Sequence, residues 1–304
     1  MAARRVGFIG LGSMGGALAH RLRVMGAQLV VYDLKAENRE PFASRGVPVA
    51  ASPREIADQA EIVVACLPSS AASLDVALGA EGVVHGKSIR VYIETSTIGR
   101  KTAERLTAAL SDSIGFVDAP VSGGPPGALA GTLTTMCAAS RENYDRALPV
   151  LSLMAKNIFY IGPRPGMAQI AKLINNHLST AGRIAAFEGL VMALKAGLDP
   201  HALIDVINVS SGRNYTTTDK IPAAIFTGRF TFNGRLTISL KDETLLLEEA
   251  KEQGVPLWLA PRLLETLQEA ADGGYCDSDS MYVIQHMGER AGIDVKALMI
   301  REAS

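Results

Sequence analysis

Apolar positions along this chain follow two different rhythms. Up to about Ile161 they come in short buried-looking runs broken by Gly and Pro: Val6-Gly-Phe-Ile9, Leu29-Val-Val-Tyr32, Glu61 to Leu67 (stopped by Pro68), Ile89 to Glu94, Gly115 to Asp118 and Ile158 to Ile161. Runs of this length, rich in β-branched residues and bounded by turn formers, predict strands. Helical patterns separate them: a stripe of Met14, Leu18, Leu22 and Met25 closed by Gly26, then segments from about Gly99 to Leu110 and from about Glu142 to Met154. Strands alternating with helices predict a parallel sheet.

From Gly166 the rhythm turns helical. The run from Gly166 to Gly197 is the longest proline-free, helix-favouring stretch, with Ile170, Leu173, Ile174 and Leu178 apolar. Asp199 has the character of an N-cap, with Pro200 in the first helical position. Further helices are predicted over Leu240 to Gln253, Trp258 to Ala271 and Ser280 to Ala291. The boundary falls near Pro163 to Pro165, giving an α/β domain over 1–164 and an all-helical domain over 165–304.

At 304 residues the chain exceeds what one core comfortably supports, so two domains fit its length. A hydrophobic content of 48% and a net charge of −1 leave no general attraction to nucleic acid or anionic membrane. Cys66, Cys137 and Cys276 are far apart, and His20, His85, His177, His201 and His286 are scattered, so no metal site is expected. The first residues form no apolar signal core and no apolar run reaches membrane-spanning length, so a cytoplasmic location is expected.

Chemistry begins at the first strand. It runs into Gly10-Leu11-Gly12-Ser13-Met14-Gly15, then a helix, a second strand and Asp33. This is the Rossmann order of strand, GxGxxG, helix, strand and acid. The first glycine makes the tight turn, the second lets backbone approach a pyrophosphate, and the third lets helix and sheet pack closely. Asp33 sits where a carboxylate takes the ribose hydroxyls and repels a 2′-phosphate, which favours NAD over NADP, although Lys35 and Arg39 lie nearby. Leu67, Pro68 and Thr97 follow strand ends facing the ligand crevice and are candidate cofactor contacts; Thr95, Ser96 and Thr97 also suit a helix cap.

Ser122, Gly123 and Gly124 follow a strand end, where a hydroxyl and successive N–H groups form a concavity for a carboxylate or oxyanion. A Gly-Pro turn is the plainer reading of the same residues. On the long helix Lys172 and Asn176 are four apart and share a face. Ser210-Ser-Gly-Arg213-Asn214 reads as a polar surface loop. Lys241, at the predicted start of a helix, is a cation near the positive end of a dipole, which hints at a ligand.

Together these residues resemble the β-hydroxyacid dehydrogenase family, which includes 3-hydroxyisobutyrate dehydrogenase and tartronate semialdehyde reductase. The likeness spans nearly the whole chain through Gly7 to Gly15, Asp118-Ala-Pro-Val-Ser-Gly-Gly124, Gly166 with Lys172, Asn175 and Asn176, and Lys241-Asp242. It implies a Rossmann domain followed by an all-helical domain of the 6-phosphogluconate dehydrogenase kind, linked by one long helix and assembled as a homodimer or homotetramer. It also implies roles: Lys172 as general acid/base, Asn176 holding substrate, Ser122, Gly123 and Gly124 binding its carboxylate, Lys241 beside nicotinamide and substrate, and Thr97 on the cofactor. Cys137-Ala138-Ala139 and Leu18 depart from the family pattern away from this chemistry.

The expected reaction is hydride exchange between NAD and a small 3-hydroxy acid, with desolvation on an apolar helix face favouring the neutral amine that takes the proton. Alternatives are an NADP-preferring semialdehyde reductase and an inactive NAD-binding scaffold. Lys172 argues against an imine reductase, and the chain's length argues against a decarboxylating 6-phosphogluconate dehydrogenase.

Overall fold

Alternate residues of the central strands enter two different cores, which is how a strand buried on both faces must be built. In the computed structural model, which describes residues 5–110 and 114–299, Phe8, Val31, Val64, Ile93 and Val117 join one apolar cluster. Their neighbours Ile9, Val30, Val63, Tyr92 and Phe116 join another. The chain divides into two compact units, Met1–Lys172 and Leu173–Ser304, so the division falls inside the long helix, a little beyond the Pro163 to Pro165 segment.

The first unit carries a sheet of β1 (Arg5–Ile9), β2 (Gln28–Tyr32), β3 (Ile62–Ala65), β4 (Val91–Glu94), β5 (Gly115–Asp118), β6 (Val121–Ser122), β7 (Leu133–Ala138) and β8 (Ala155–Gly162). The order β2-β1-β3-β4-β5 is parallel throughout. β7 then runs antiparallel to β5 and β6, and β8 pairs with β7 in parallel. The Rossmann expectation holds. Helices Ser13–Val24, Arg100–Ala109 and Arg141–Met154 appear close to their predicted bounds. Gly124–Ala130 is also helical, which the Ser-Gly-Gly-Pro-Pro string did not suggest; prolines in a first turn lose no hydrogen bond and bring a ready-made φ.

The second unit is helical. Met167–Lys195 continues into it, followed by Pro200–Asn208, Leu236–Glu252, Ala260–Ala270, Val283–Ala291 and Val295–Met299. Asp199 caps its helix as expected, accepting from the His201 N–H. Its core gathers Ile184, Phe187, Leu190, Ile221, Leu267 and Ile284. Thr216–Ile225 is a helix with widened turns, a rare form that turns up disproportionately at functional positions.

One expectation is corrected. The helix placed at Leu240 begins at Leu236, so Lys241 lies beyond its first turn and the argument from the helix dipole does not apply. On the long helix Leu173 is buried, whereas Ile174 and Leu178 are exposed, at 49% and 66%.

Candidate active site

The glycine loop is shaped by close contacts. Gly10 has φ +89°, and a Cβ there would lie 2.2 Å from the Cys66 carbonyl oxygen. A Cβ on Gly15 would fall 1.9 Å from the Gly10 carbonyl oxygen, so helix and loop meet only because both residues are glycine. Gly12 is different: its Cβ would meet nothing within 4 Å, and it begins the helix with no side-chain cap. The helix end therefore keeps backbone N–H groups and partial positive charge facing open space that a side chain would otherwise fill, which suits a pyrophosphate. Ser13 is exposed, Met14 half-buried and Leu11 buried.

Asp33 closes this loop. Its Oδ2 accepts from the Leu11 N–H at 2.6 Å and its Oδ1 from the Lys35 N–H at 2.8 Å. The carboxylate is thereby oriented with lone pairs left for ribose hydroxyls.

At the neighbouring strand ends, Leu67 N–H donates to Ser96 Oγ at 2.6 Å, and Ser96 N–H donates to Glu94 Oε1 at 3.0 Å. Thr95 Oγ1 donates to the Ala65 carbonyl at 2.7 Å. Thr95 and Ser96 thus bind β3 to β4. The helix Arg100–Ala109 starts at Gly99, which has no side chain to cap it. Burial drives the Glu94 carboxyl upward, against hydrogen bonds from Ser96 and Tyr92 that lower it. Leu67 and Thr97 are half-buried and Pro68 is exposed.

The start of the long helix is held by two residues left out of the sequence-based site. Asp118 Oδ2 accepts from Gly166 N–H at 2.8 Å and Gln169 N–H at 3.3 Å, and its Oδ1 accepts from Gln169 Nε2 at 2.6 Å. Gln169 Oε1 in turn accepts from Ile98 N–H at 2.8 Å and Gly99 N–H at 3.1 Å, while its Nε2 also donates to the Ser96 carbonyl. Desolvation raises the Asp118 carboxyl to about 6, with the Gln169 and Gly166 donors pulling the other way. Lys172, one turn further on, is only 7% exposed. Ser122 is half-buried, and Gly123 (φ +126°) and Gly124 (φ +65°) hold backbone conformations that side-chain-bearing residues rarely adopt.

In the second unit Asn176 Nδ2 donates to Asp242 Oδ2 at 2.6 Å, and the Lys241 ammonium makes a charge contact with Asp242 Oδ1 at 2.9 Å. Asp242 therefore joins two residues singled out from the sequence, where it stood in the Lys241-Asp242 pair with no role of its own. One rung along, His177 Nδ1 and Glu243 Oε2 lie 2.9 Å apart. Burial raises the Glu243 carboxyl, and His177 partly offsets it. Arg183 is buried, with Nη1 and Nη2 donating to Ser280 Oγ and Ser239 Oγ. Desolvation lowers its guanidinium to about 10.

Asn214 proves structural: its Oδ1 accepts from the Thr216 and Thr217 N–H groups and so opens the widened helix. Arg213 is exposed on a cavity of about 390 Å³ with Asn208 and Ser210. A larger cavity of about 670 Å³ lies along Glu188, Met192 and Lys195 and includes none of the residues above. Among the described residues no cluster of His, Cys, Asp and Glu could hold a metal ion, and no helix is long and apolar enough to cross a membrane.

Comparison with known proteins gives consistent relatives. Residues 5–162 match a family model described as the NAD binding domain of 6-phosphogluconate dehydrogenase. Residues 166–287 match one described as NAD-binding of NADP-dependent 3-hydroxyisobutyrate dehydrogenase. The chain is 31% identical to 2-(hydroxymethyl)glutarate dehydrogenase of Eubacterium barkeri over 293 residues, covering 96% of this chain and 97% of that one. It is 34% identical to a probable mitochondrial 3-hydroxyisobutyrate dehydrogenase of Dictyostelium discoideum over 292 residues, covering 92% and 90%. The crystal structure of 3-hydroxyisobutyrate dehydrogenase from Salmonella typhimurium superimposes with a TM-score of 0.83 at 30% identity, covering 93% of this chain and 99% of that one.

Proposed function

Because the chain belongs to the β-hydroxyacid dehydrogenase family, an NAD(P)-dependent enzyme group acting on small hydroxy acids, we propose that it oxidises a short 3-hydroxy acid reversibly with Lys172 as general acid/base. The observation that carries this reading is a lysine just 7% exposed, four residues before Asn176 on one helical face. A buried amine at a functional face is poised for proton transfer in a way a solvated surface lysine is not. In oxidation the neutral Lys172 Nζ takes the proton of the substrate hydroxyl, and in reduction its ammonium returns that proton to the carbonyl oxygen.

Gly10, Leu11, Gly12, Ser13, Met14 and Gly15 would hold the pyrophosphate and Asp33 the ribose, with Leu67, Pro68 and Thr97 as further contacts. When bound, the nicotinamide supplies the hydride acceptor or donor. Asn176 holds the substrate, Ser122 with the Gly123 and Gly124 N–H groups takes its carboxylate, and Lys241 lies on both substrate and cofactor. Asp33 favours NAD; NADP is the alternative, in keeping with the description of the second family model.

In this reading residues 1–164 serve NAD binding, and residues 165–304 serve substrate binding and assembly into a homodimer or homotetramer in the cytoplasm. Both relatives' names describe a hydroxyl β to a carboxylate, which guides the choice of substrate. The deciding experiment follows NAD and NADP reduction over a panel of small 3-hydroxy acids. Reduction of NAD with at least one of them is expected; none across the panel, with the cofactor still binding, would favour the scaffold reading instead.

A further inference from the structure

We infer that His177 and Glu243 are positioning residues: their bond fixes the rotation of the long helix against the helix Leu236–Glu252 and so sets the angle of the Asn176 carboxamide. The inference rests on the reading of Asn176 as a substrate-holding residue. Two consecutive residues of one helix, Asn176 and His177, meet two consecutive residues of the other, Asp242 and Glu243. At about 100° per residue, Asn176 projects about 40° from the direction of Lys172 and His177 about 140°. Leu173 projects between them, and it joins Leu246 of the second helix in a buried apolar cluster with Ala260. The two polar bonds therefore flank the apolar contact, one on the side of Lys172 and one on the far side.

Each part of this arrangement restrains something different. The cluster of Leu173, Leu246 and Ala260 attracts without direction, so by itself it tolerates a helix turned a little about its axis. The bond from Asn176 Nδ2 to Asp242 Oδ2, at 2.6 Å, is a pivot about which the carboxamide swings as the helix turns. A second bond on the other flank, 2.9 Å between His177 Nδ1 and Glu243 Oε2, removes that swing. The Glu243 side chain is only 2% exposed and that of His177 18%, so neither partner is free to follow the other into solvent. A buried pair of this kind adds little net stability, because desolvation offsets the attraction; what it contributes is direction.

The direction reaches substrate through one hydrogen. Asn176 Oδ1 accepts from Asn175 Nδ2 at 3.2 Å, and one of the two Nδ2 hydrogens goes to Asp242. The second Nδ2 hydrogen is the donor left for a ligand, and it points wherever the helix turns it.

The test is the double variant His177→Met with Glu243→Met, which replaces both partners by apolar groups and strands neither a buried donor nor a buried carboxylate. With the hydroxy acid that the wild type uses best, KM is expected to rise at least fivefold while kcat and the NAD dissociation constant stay within twofold. A mere loss of folded enzyme would lower kcat and leave KM alone. Glu243→Gln keeps an oxygen to accept from His177 and should hold KM within twofold of the wild type. A second readout needs no turnover: NMR of protein carrying isotope-labelled asparagine, with the Asn176 Nδ2 protons identified by their absence in Asn176→Ala. Their exchange with solvent should quicken at least tenfold in the double variant and stay near the wild-type rate in Glu243→Gln. Unchanged exchange in the double variant overturns the inference whatever the kinetics. Faster exchange with an unmoved KM upholds the positioning of Asn176 and removes Asn176 itself from substrate binding.

Discussion

Asp242 accepts from Asn176 through one carboxylate oxygen at 2.6 Å and contacts the Lys241 ammonium through the other at 2.9 Å. One buried carboxylate therefore sets the direction of a carboxamide on the long helix and of a cation on its own helix. Losing a charged partner leaves partly buried donors unsatisfied, at a cost of about 1–3 kcal/mol at most. Asp242→Ala should lower kcat/KM on the best hydroxy acid by about ten- to a hundredfold. Asp242→Asn, which keeps the shape, should recover part of it. Wild-type kinetics in the alanine variant would show that neither neighbour depends on this carboxylate.

Lys172→Ala should remove the proton-transfer group and little else. General acid/base catalysis contributes about 10²–10⁴-fold, so kcat should fall within or beyond that range. NAD affinity, measured by calorimetry, should stay within a fewfold of the wild type, because the glycine loop and Asp33 are untouched. Turnover close to the wild type sinks the assignment.

Cofactor choice should follow Asp33. Its oxygens hold the Leu11 and Lys35 N–H groups and stand ready for ribose hydroxyls. Asp33→Ser removes the charge that repels a 2′-phosphate, and the NADP to NAD ratio of kcat/KM should rise about tenfold or more. An unmoved ratio places the discrimination elsewhere, with Lys35 the next residue to change.

Asp118 should leave a signature in acid stability. Its carboxyl titrates near 6 in the folded chain against an ordinary 3.8, because burial penalises the charge. Between those values the unfolded chain has released a proton that the folded chain retains, so stability falls as pH rises from about 3.8 to about 6 and this contribution is flat above. The full change amounts to no more than about 3 kcal/mol. Asp118→Asn loses hydrogen bonds at every pH, yet its unfolding free energy should lack this downward slope. Parallel curves for the two proteins between pH 4 and 6 would assign the titration to another group.

Local pattern and sterics left much of the fold legible in the sequence. Short apolar runs marked β1 to β5 because a strand buried on both faces has nothing polar to show, and Gly10 and Gly15 were legible because only glycine fits where backbone meets backbone. Asp118 and Gln169 were not legible as partners: they are 51 positions apart, and no local period encodes such a contact. The helix Thr216–Ile225 was not legible because its widened turns do not keep the apolar spacing of an ordinary helix. The start of the Lys241 helix was misplaced because Thr237, Ile238 and Ser239 are indifferent helix formers.

Six hydrogen bonds converge on Asp118 and Gln169, drawing in Ser96, Ile98, Gly99 and Gly166. Pulling either side chain away strands several buried donors at once, so partial loosening has no cheap intermediate. The amides of Ile98, Gly99, Gly166 and Gln169 should therefore exchange with deuterium in a single concerted opening, and Gln169→Ala should speed all of them together. On this network the foot of the helix bearing Lys172 is expected to open only with the strand ends it is tied to, as one unit.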